Sequence, residues 1–234
     1  MSVSKLSRQF AVSEETIRRD IKLLASSGRV EKIHGGVRLP ATRLEPPYWQ
    51  RVNSNAGVKK RIGLQAAKQV IDGMTIFIDS GTSSYWLAKS LSSQINLTVI
   101  TNSLEVAAEI AGKPNCKLVI VGGVVDMVYR AAFGLEAAEQ ARRYQPDLLF
   151  LSAGGICEQG GWLDFSLDEA DFKRAILLQA RQKIVLADSS KFNVAGTVQF
   201  ANLSAINLLI CEQLPTGALA KALQNARVDI ICAE

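Results

Sequence analysis

From residue 56 onward the chain repeats one pattern that few architectures can accommodate. Short runs of β-branched and apolar residues alternate with longer amphipathic stretches. The runs are "MTIFID", "LTVIT", "KLVIVGG", "DLLFLSAGG", "KIVLAD", "INLLIC" and "VDIICA". Helical periodicity falls between them, near 58–71, near 83–92, from 104, across 168–182 and near 217–226. Strands that are apolar on both faces and joined by helices must lie in a mostly parallel sheet covered on both sides. The expected fold class is therefore α/β, with a Rossmann-like sheet domain over 56–234.

In such sheets a ligand sits beyond the carboxyl ends of the strands. Here those ends are small and polar. The first closes in Asp79, Ser80, Gly81, Thr82 and Ser83, where Gly81 permits a tight turn and the hydroxyls meet the free N–H groups of a helix start. The second closes in Thr101, Asn102 and Ser103, the third in Gly122 and Gly123, a later one in the "SAGG" run that contains Gly154, and another in "ADSSKF" with Lys191. Each end taken alone reads more readily as helix capping. The set points to a small anionic, hydroxylated ligand.

Charge divides the chain. Residues 1–43 hold nine Lys and Arg against four Asp and Glu, while the other residues hold 18 of each sign. The whole formal charge of +5 thus falls in the first fifth, which implies a polyanionic partner. That fifth also has helical patterning. Ile17, Ile21 and Leu24 share one face of a helix, with Arg18, Arg19 and Lys22 opposite. Ser13 stands at its N-cap position and Gly28 at its stop. Val3, Leu6 and Phe10 form a shorter stripe before it, across a tight "AVS" connection. Two short helices so joined form a helix-turn-helix, whose second helix enters the major groove. "RVEKIHGGVRLP" then reads as two extended segments joined at Gly35-Gly36, a basic hairpin or wing. Lys32, His34 and Arg38 suit contacts to phosphates. Residues 41–55, with Pro46 and Pro47, read as a semi-rigid linker.

At these residues the chain resembles the deoxyribonucleoside-repressor (DeoR) family of bacterial regulators. The resemblance rests on Ser13, Thr16, Ile17, Arg18, Arg19 and Asp20, on the His-Gly-Gly wing, and on the rim segments from Asp79, Thr101, Gly122 and Asp188. It implies that Ser13, Thr16, Arg18, Arg19 and Lys22 serve the DNA interface. It also implies a further helix before Val3, so residues 1–40 are expected to be a partial winged helix-turn-helix lacking its first helix, with this chain beginning late. The sensor domain of the family is similar in fold to ribose-5-phosphate isomerase, which implies a phosphorylated sugar or related metabolite as effector. Glu169 and Lys173 match a Glu-x-x-x-Lys segment of the family, facing the rim or forming an exposed ion pair. Two positions depart from the pattern. Asp126 stands where the family often has arginine, and a carboxylate there would repel a phosphate. Asn193 stands where it favours glycine.

Other classes are disfavoured. No Gly-x-Gly-x-x-Gly or Walker motif is present and no His/Cys/Asp cluster has ligand spacing, so neither cofactor nor metal is expected. The single histidine lies far from the other candidate catalytic segments. Cys116, Cys157, Cys211 and Cys232 read as buried, reduced thiols. A charged N-terminus and the lack of a long apolar run predict a cytoplasmic protein with no membrane contact. The function expected is a DNA-binding repressor of a carbohydrate catabolic operon, working as a homo-oligomer (dimer or tetramer) on a double-stranded DNA operator. Two alternatives stand beside it. One is a sugar-phosphate isomerase-like enzyme with a vestigial N-terminal extension, using Asp79, Asp164 or Glu169 as base. The other is a ligand-binding module that no longer binds DNA.

Overall fold

The computed structural model describes residues 1–26, 30–33, 35–38, 45–91 and 96–234. His34 and Gly28 lie outside the described residues, as does most of the proline-containing stretch before Glu45. The chain divides into two compact units, Met1–Gln50 and Arg51–Glu234.

The first unit holds helix α1 (Val3–Phe10), helix α2 (Glu14–Ser26) and strands β1 (Glu31–Ile33) and β2 (Gly36–Arg38). Ala11 takes the left-handed conformation and closes α1, its N–H returning to Ser7 O. Ser13 opens α2, its Oγ accepting the Thr16 N–H at 3.1 Å. β1 and β2 pair antiparallel, Ile33 facing Gly36, and Gly35 carries the positive φ (+72°) that the tight connection requires. The core is small. Val3, Ile17 and Ile21 are buried, with Leu6 and Val37 beside them. Helix α3 (Tyr48–Asn53) stands within the stretch read as linker, a helix that the sequence reading missed.

The second unit runs α4 (Ala56–Ala67), β3 (Thr75–Ile78), α5 (Thr82–Ser90), β4 (Leu97–Thr101), α6 (Leu104–Ala111), β5 (Cys116–Ile120), β6 (Val125–Asp126), β7 (Ala131–Ala132) and α7 (Leu135–Ala141). It continues through β8 (Leu148–Ser152), β9 (Gly155–Cys157), β10 (Gly161–Asp164), α8 (Leu167–Leu177), β11 (Gln182–Leu186), β12 (Val198–Ala201), β13 (Leu208–Cys211), α9 (Gly217–Asn225) and β14 (Asp229–Cys232). Seven strands form one parallel sheet in the order β14-β13-β11-β8-β3-β4-β5. Alternation along each strand feeds two cores. Phe77, Ile100, Leu149, Leu151 and Val185 pack against α7, α8 and α9. Ile76, Ile78, Val99, Phe150 and Ile184 pack against α4, α5 and α6.

The structure departs from the sequence reading at three points. Helix α8 stops at Leu177 and Gln182 already belongs to β11, although the apolar pattern continues and no glycine or proline intervenes. A second, antiparallel sheet, β12-β10-β9, was not foreseen. Only Cys211 among the four thiols is buried, and Cys232 is exposed because β14 is the edge strand. Among the described residues no helix is long and apolar enough to cross a membrane.

Candidate functional site

The order of the sheet places the site. From β3 the chain steps to β4 and β5 on one side, then returns with β8 to the other side of β3. The strand order reverses there, at the carboxyl ends of β3 and β8, the position where a sheet of this kind takes its ligand. Asp79, Ser80 and Gly81 follow β3, and Ser152 ends β8.

These two ends are bonded together. The Asp79 carboxylate accepts the Ser152 N–H at 2.7 Å, the Gly81 N–H at 3.0 Å and the Ser84 hydroxyl. Gly81 meets Ser152 so closely that no larger residue fits. Asp79 is therefore a framework residue at 1% exposure, with burial pushing its carboxyl above the usual range. Below it Lys173 donates to Ser152 O at 2.8 Å, Glu169 Oε1 at 2.8 Å and Asp164 Oδ2 at 2.9 Å. An ammonium has three donors, so this set uses all of them. Glu169 and Lys173 are neither an exposed ion pair nor open to the rim; they are 4% and 1% exposed and brace it from beneath. Burial and the neighbouring Glu169 raise the Asp164 carboxyl to about 8, against the pull of Lys173. Burial alone would lower the Lys173 ammonium, but Asp164, Glu169 and Asp79 outweigh it and hold the group well above its usual range.

Ser103 caps α6 and Ser166 caps α8 through their side chains. Like α4, α7 and α9, α5 starts without a side-chain cap, here at Gly81. Its first N–H groups and the positive end of its dipole are thus presented at the strand end. Beside it stands Lys59, which sequence reasoning missed. Lys59 is 4% exposed and donates to Thr82 Oγ1 at 3.0 Å and to Arg51 O at 2.6 Å. Gly63 sets this pairing. α4 and α5 approach so closely there that a Cβ on Gly63 would lie 2.6 Å from the Trp86 carbonyl. One turn back on both helices, the same contact line brings Lys59 to Thr82. Ser80 and Ser83 are buried beside them at 3% and 5% exposure.

The other rim segments divide by role. Thr101 Oγ1 accepts the Ser103 N–H at 3.1 Å, and Asn102 Nδ2 donates to Ala132 O at 2.9 Å. The Gly122 N–H donates to Gln140 Oε1 at 3.2 Å, and Gly123 is exposed. The Gly154 N–H donates to Asp164 Oδ1 at 3.0 Å. Lys191 is half-buried on a 3-10 turn, Ser189–Lys191, that Asp188 caps. Asp126 accepts the Val128 and Tyr129 N–H groups at 2.7 and 3.1 Å, so its carboxylate is engaged in its own turn. Asn193 has φ +56°, the left-handed region where glycine is favoured and asparagine is well tolerated.

In the first unit Ser13, Thr16, Arg18, Arg19 and Lys22 are exposed along α2, and Lys32 and Arg38 are exposed on the hairpin. Arg18 pairs with Glu14 at 3.0 Å yet keeps 59% of its side chain in solvent. The α2 face therefore offers accessible cations.

Comparison with known proteins agrees with this layout. Residues 1–43 match the model of the DeoR-like helix-turn-helix domain, and residues 54–213 match the DeoR C-terminal sensor domain. The HTH-type transcriptional repressor CsqR of Escherichia coli is 30% identical over 99% of this chain and 88% of its own length. The glycerol-3-phosphate regulon repressor of Escherichia coli is 28% identical over 98% of this chain and 91% of its own. Among solved structures, ribose 5-phosphate isomerase A of Methanocaldococcus jannaschii aligns with a TM-score of 0.43 and 20% identity, covering 59% of this chain and 55% of that one. With a helix-turn-helix match at the front and a sensor-domain match over most of the remainder, the chain belongs to the DeoR family of DNA-binding transcriptional regulators.

Proposed function

We propose that this regulator is a repressor of a carbohydrate catabolic operon, controlled by a phosphorylated sugar or related metabolite bound at the carboxyl end of β3. One observation carries the reading: Lys59 Nζ lies 3.0 Å from Thr82 Oγ1 at a helix start that no side chain caps. A buried cation, a hydroxyl and the positive end of a helix dipole together favour a phosphate. The glycerol-3-phosphate regulon repressor adds a relative whose name carries a phosphorylated polyol.

The DNA interface comprises Thr16, Arg18, Arg19 and Lys22 on α2, with Ser13 fixing the start of the helix. Lys32 and Arg38 on the wing contact backbone phosphates. Two such helices reach adjacent major grooves only in an assembly of at least two chains. The effector regulates by binding the DNA-competent and DNA-incompetent states with different affinities.

Catalysis forms no part of this reading. Isomerisation needs a carboxylate free to take a substrate proton. Asp79 and Asp164 accept backbone N–H groups, and Asp164 and Glu169 both hold Lys173.

The experiment is calorimetric titration of the full chain with inorganic phosphate and with a panel of sugar phosphates. Thr82→Val and Lys59→Met should melt cooperatively and lose phosphate binding. Variants that bind phosphate as the parent does would place the anion elsewhere.

A further inference from the structure

Three polar residues follow β4, and their side chains are not equivalent. Thr101 Oγ1 accepts the Ser103 N–H at 3.1 Å, and Ser103 Oγ accepts the Val106 N–H at 3.3 Å, capping α6. Both oxygens are engaged within their own turn. Asn102 is 1% exposed, and its Nδ2 donates to Ala132 O at 2.9 Å. Its Oδ1 is buried and has no donor among the described residues. The amide cannot be turned over to cure this, because the group facing the Ala132 carbonyl has to be a donor. The remaining oxygen is therefore an acceptor held in place by its own partner amide. Buried acceptors are rarely left without a protein group, a water or a bound ligand to serve them.

The position of Asn102 bears on which of these serves it. β4 is the neighbour of β3, and Ile78 pairs with Thr101, so Asn102 stands level with Asp79 at the strand ends. Neighbouring strands lie about 4.8 Å apart. One strand spacing thus separates the Asn102 backbone from the loop that leads into α5. A phosphate monoester is chiefly an acceptor near neutral pH and is poorly suited to satisfy Oδ1. If a bound phosphate ester serves Oδ1, its donor must come from the organic part.

We propose that Asn102 Oδ1 reads a hydroxyl of the effector, which makes Asn102 a specificity-determining residue for polyhydroxy phosphate monoesters. The proposal rests on the phosphate assignment at Lys59 and Thr82. The phosphate lies at the α5 start, and a hydroxyl a few carbons along the chain donates to Asn102. An ester without that hydroxyl leaves the carbonyl oxygen buried and unserved, so it is rejected even though its phosphate fits.

The test uses the full chain and three kinds of probe: inorganic phosphate, n-propyl phosphate, and polyol phosphates of three to six carbons such as glycerol 3-phosphate and ribose 5-phosphate. Titration calorimetry of the parent should find at least one polyol phosphate bound about tenfold or more tighter than n-propyl phosphate. Asn102→Leu should erase that gain and leave the affinity for inorganic phosphate unchanged within about twofold. If Asn102→Leu does not melt cooperatively, Asn102→Ala gives the same reading, since it withdraws the acceptor and adds no bulk. A gain that survives the substitution overturns the proposal, as does a parent that binds phosphate but never prefers a polyol ester. A parent that binds no phosphate and no ester overturns the phosphate assignment itself.

Discussion

A Cβ on Gly81 would stand 1.8 Å from Ser152 Oγ. Gly81 lies three residues beyond β3 and Ser152 ends β8, neighbouring strands at the point where strand order reverses. Glycine here is a packing requirement, since its φ of −72° is open to any residue. Gly81→Ala should therefore separate the two strand ends. Overpacking of this kind costs about 1–3 kcal/mol. Chemical denaturation should show that loss, and phosphate binding should weaken as the α5 start moves. Unchanged stability would mean that the Gly81 loop shifts to make room for the methyl group without disturbing the strand ends.

Gly63→Ala should act at longer range. The added methyl meets the Trp86 backbone, which cannot move aside as a side chain can. α4 and α5 must part, and Lys59 is drawn away from Thr82 one turn along. The expected loss of stability is again about 1–3 kcal/mol. Phosphate affinity should fall although residue 63 itself touches no ligand. Affinity equal to that of the parent would uncouple the helix contact from the cradle.

The contrast between these two glycines explains what was legible beforehand. The sheet could be read because burial on both faces leaves a continuous apolar run: Ile76 and Ile78 enter one core and Phe77 the other. The rim could be read because small polar residues follow those runs directly. Lys59 could not be read. It sits in a Lys-Lys-Arg run, and what buries it is a helix contact set by Gly63 and Trp86, far apart in sequence. The depth of Lys173 was hidden for the same reason, since Asp164 and Ser152 reach it from other elements. The antiparallel sheet of β9, β10 and β12 escaped because its strands are three or four residues long and two of them begin in glycine.

Lys173→Met should be the most destabilising substitution of this set. It removes the cation that holds Asp164 and Glu169 at 2.9 and 2.8 Å and lies 3.6 Å from Asp79. Removing one partner of a buried ion pair costs about 3–5 kcal/mol when the other side stays charged, and Asp164, which holds its proton up to about 8, adds to that loss only above that pH. A melting curve that shifts by only a degree or two would show that the carboxylates shed their charge at little cost.

Stability should also fall as pH rises. Asp164 keeps its proton in the folded chain up to about 8, whereas the unfolded carboxyl releases it near 3.8. The folded state therefore binds the additional proton across that window, and its advantage disappears as pH climbs through it. The slope is at most about 1.4 kcal/mol per pH unit for one proton. Lys173 adds nothing in this range, since its raised ammonium stays charged in both states there. Denaturation midpoints between pH 5 and 8 measure the effect. Asp164→Asn should flatten the slope, and a slope that persists in that variant would assign the proton to another group.

Glu14→Gln should tighten DNA binding. Arg18 donates to the Glu14 carboxylate at 3.0 Å and lies 3.8 Å from Glu15, so part of its charge is spoken for before DNA arrives. Docking must exchange that partner for a phosphate or a base edge. An exposed i,i+4 pair contributes only about 0.3–0.5 kcal/mol, so the exchange is affordable. Without the Glu14 charge, Arg18 meets DNA unopposed and a repelling carboxylate is gone. The cost falls on α2, which loses a favourable anion in its first turn, about 0.3–1 kcal/mol. Arg18→Ala should do the reverse, weakening operator binding by about 1–3 kcal/mol for a base contact, or lowering the salt slope by about one for a phosphate contact. Mobility-shift titrations at two salt concentrations separate these cases. If Glu14→Gln and Arg18→Ala both leave affinity and salt slope unchanged, Arg18 is not at the interface.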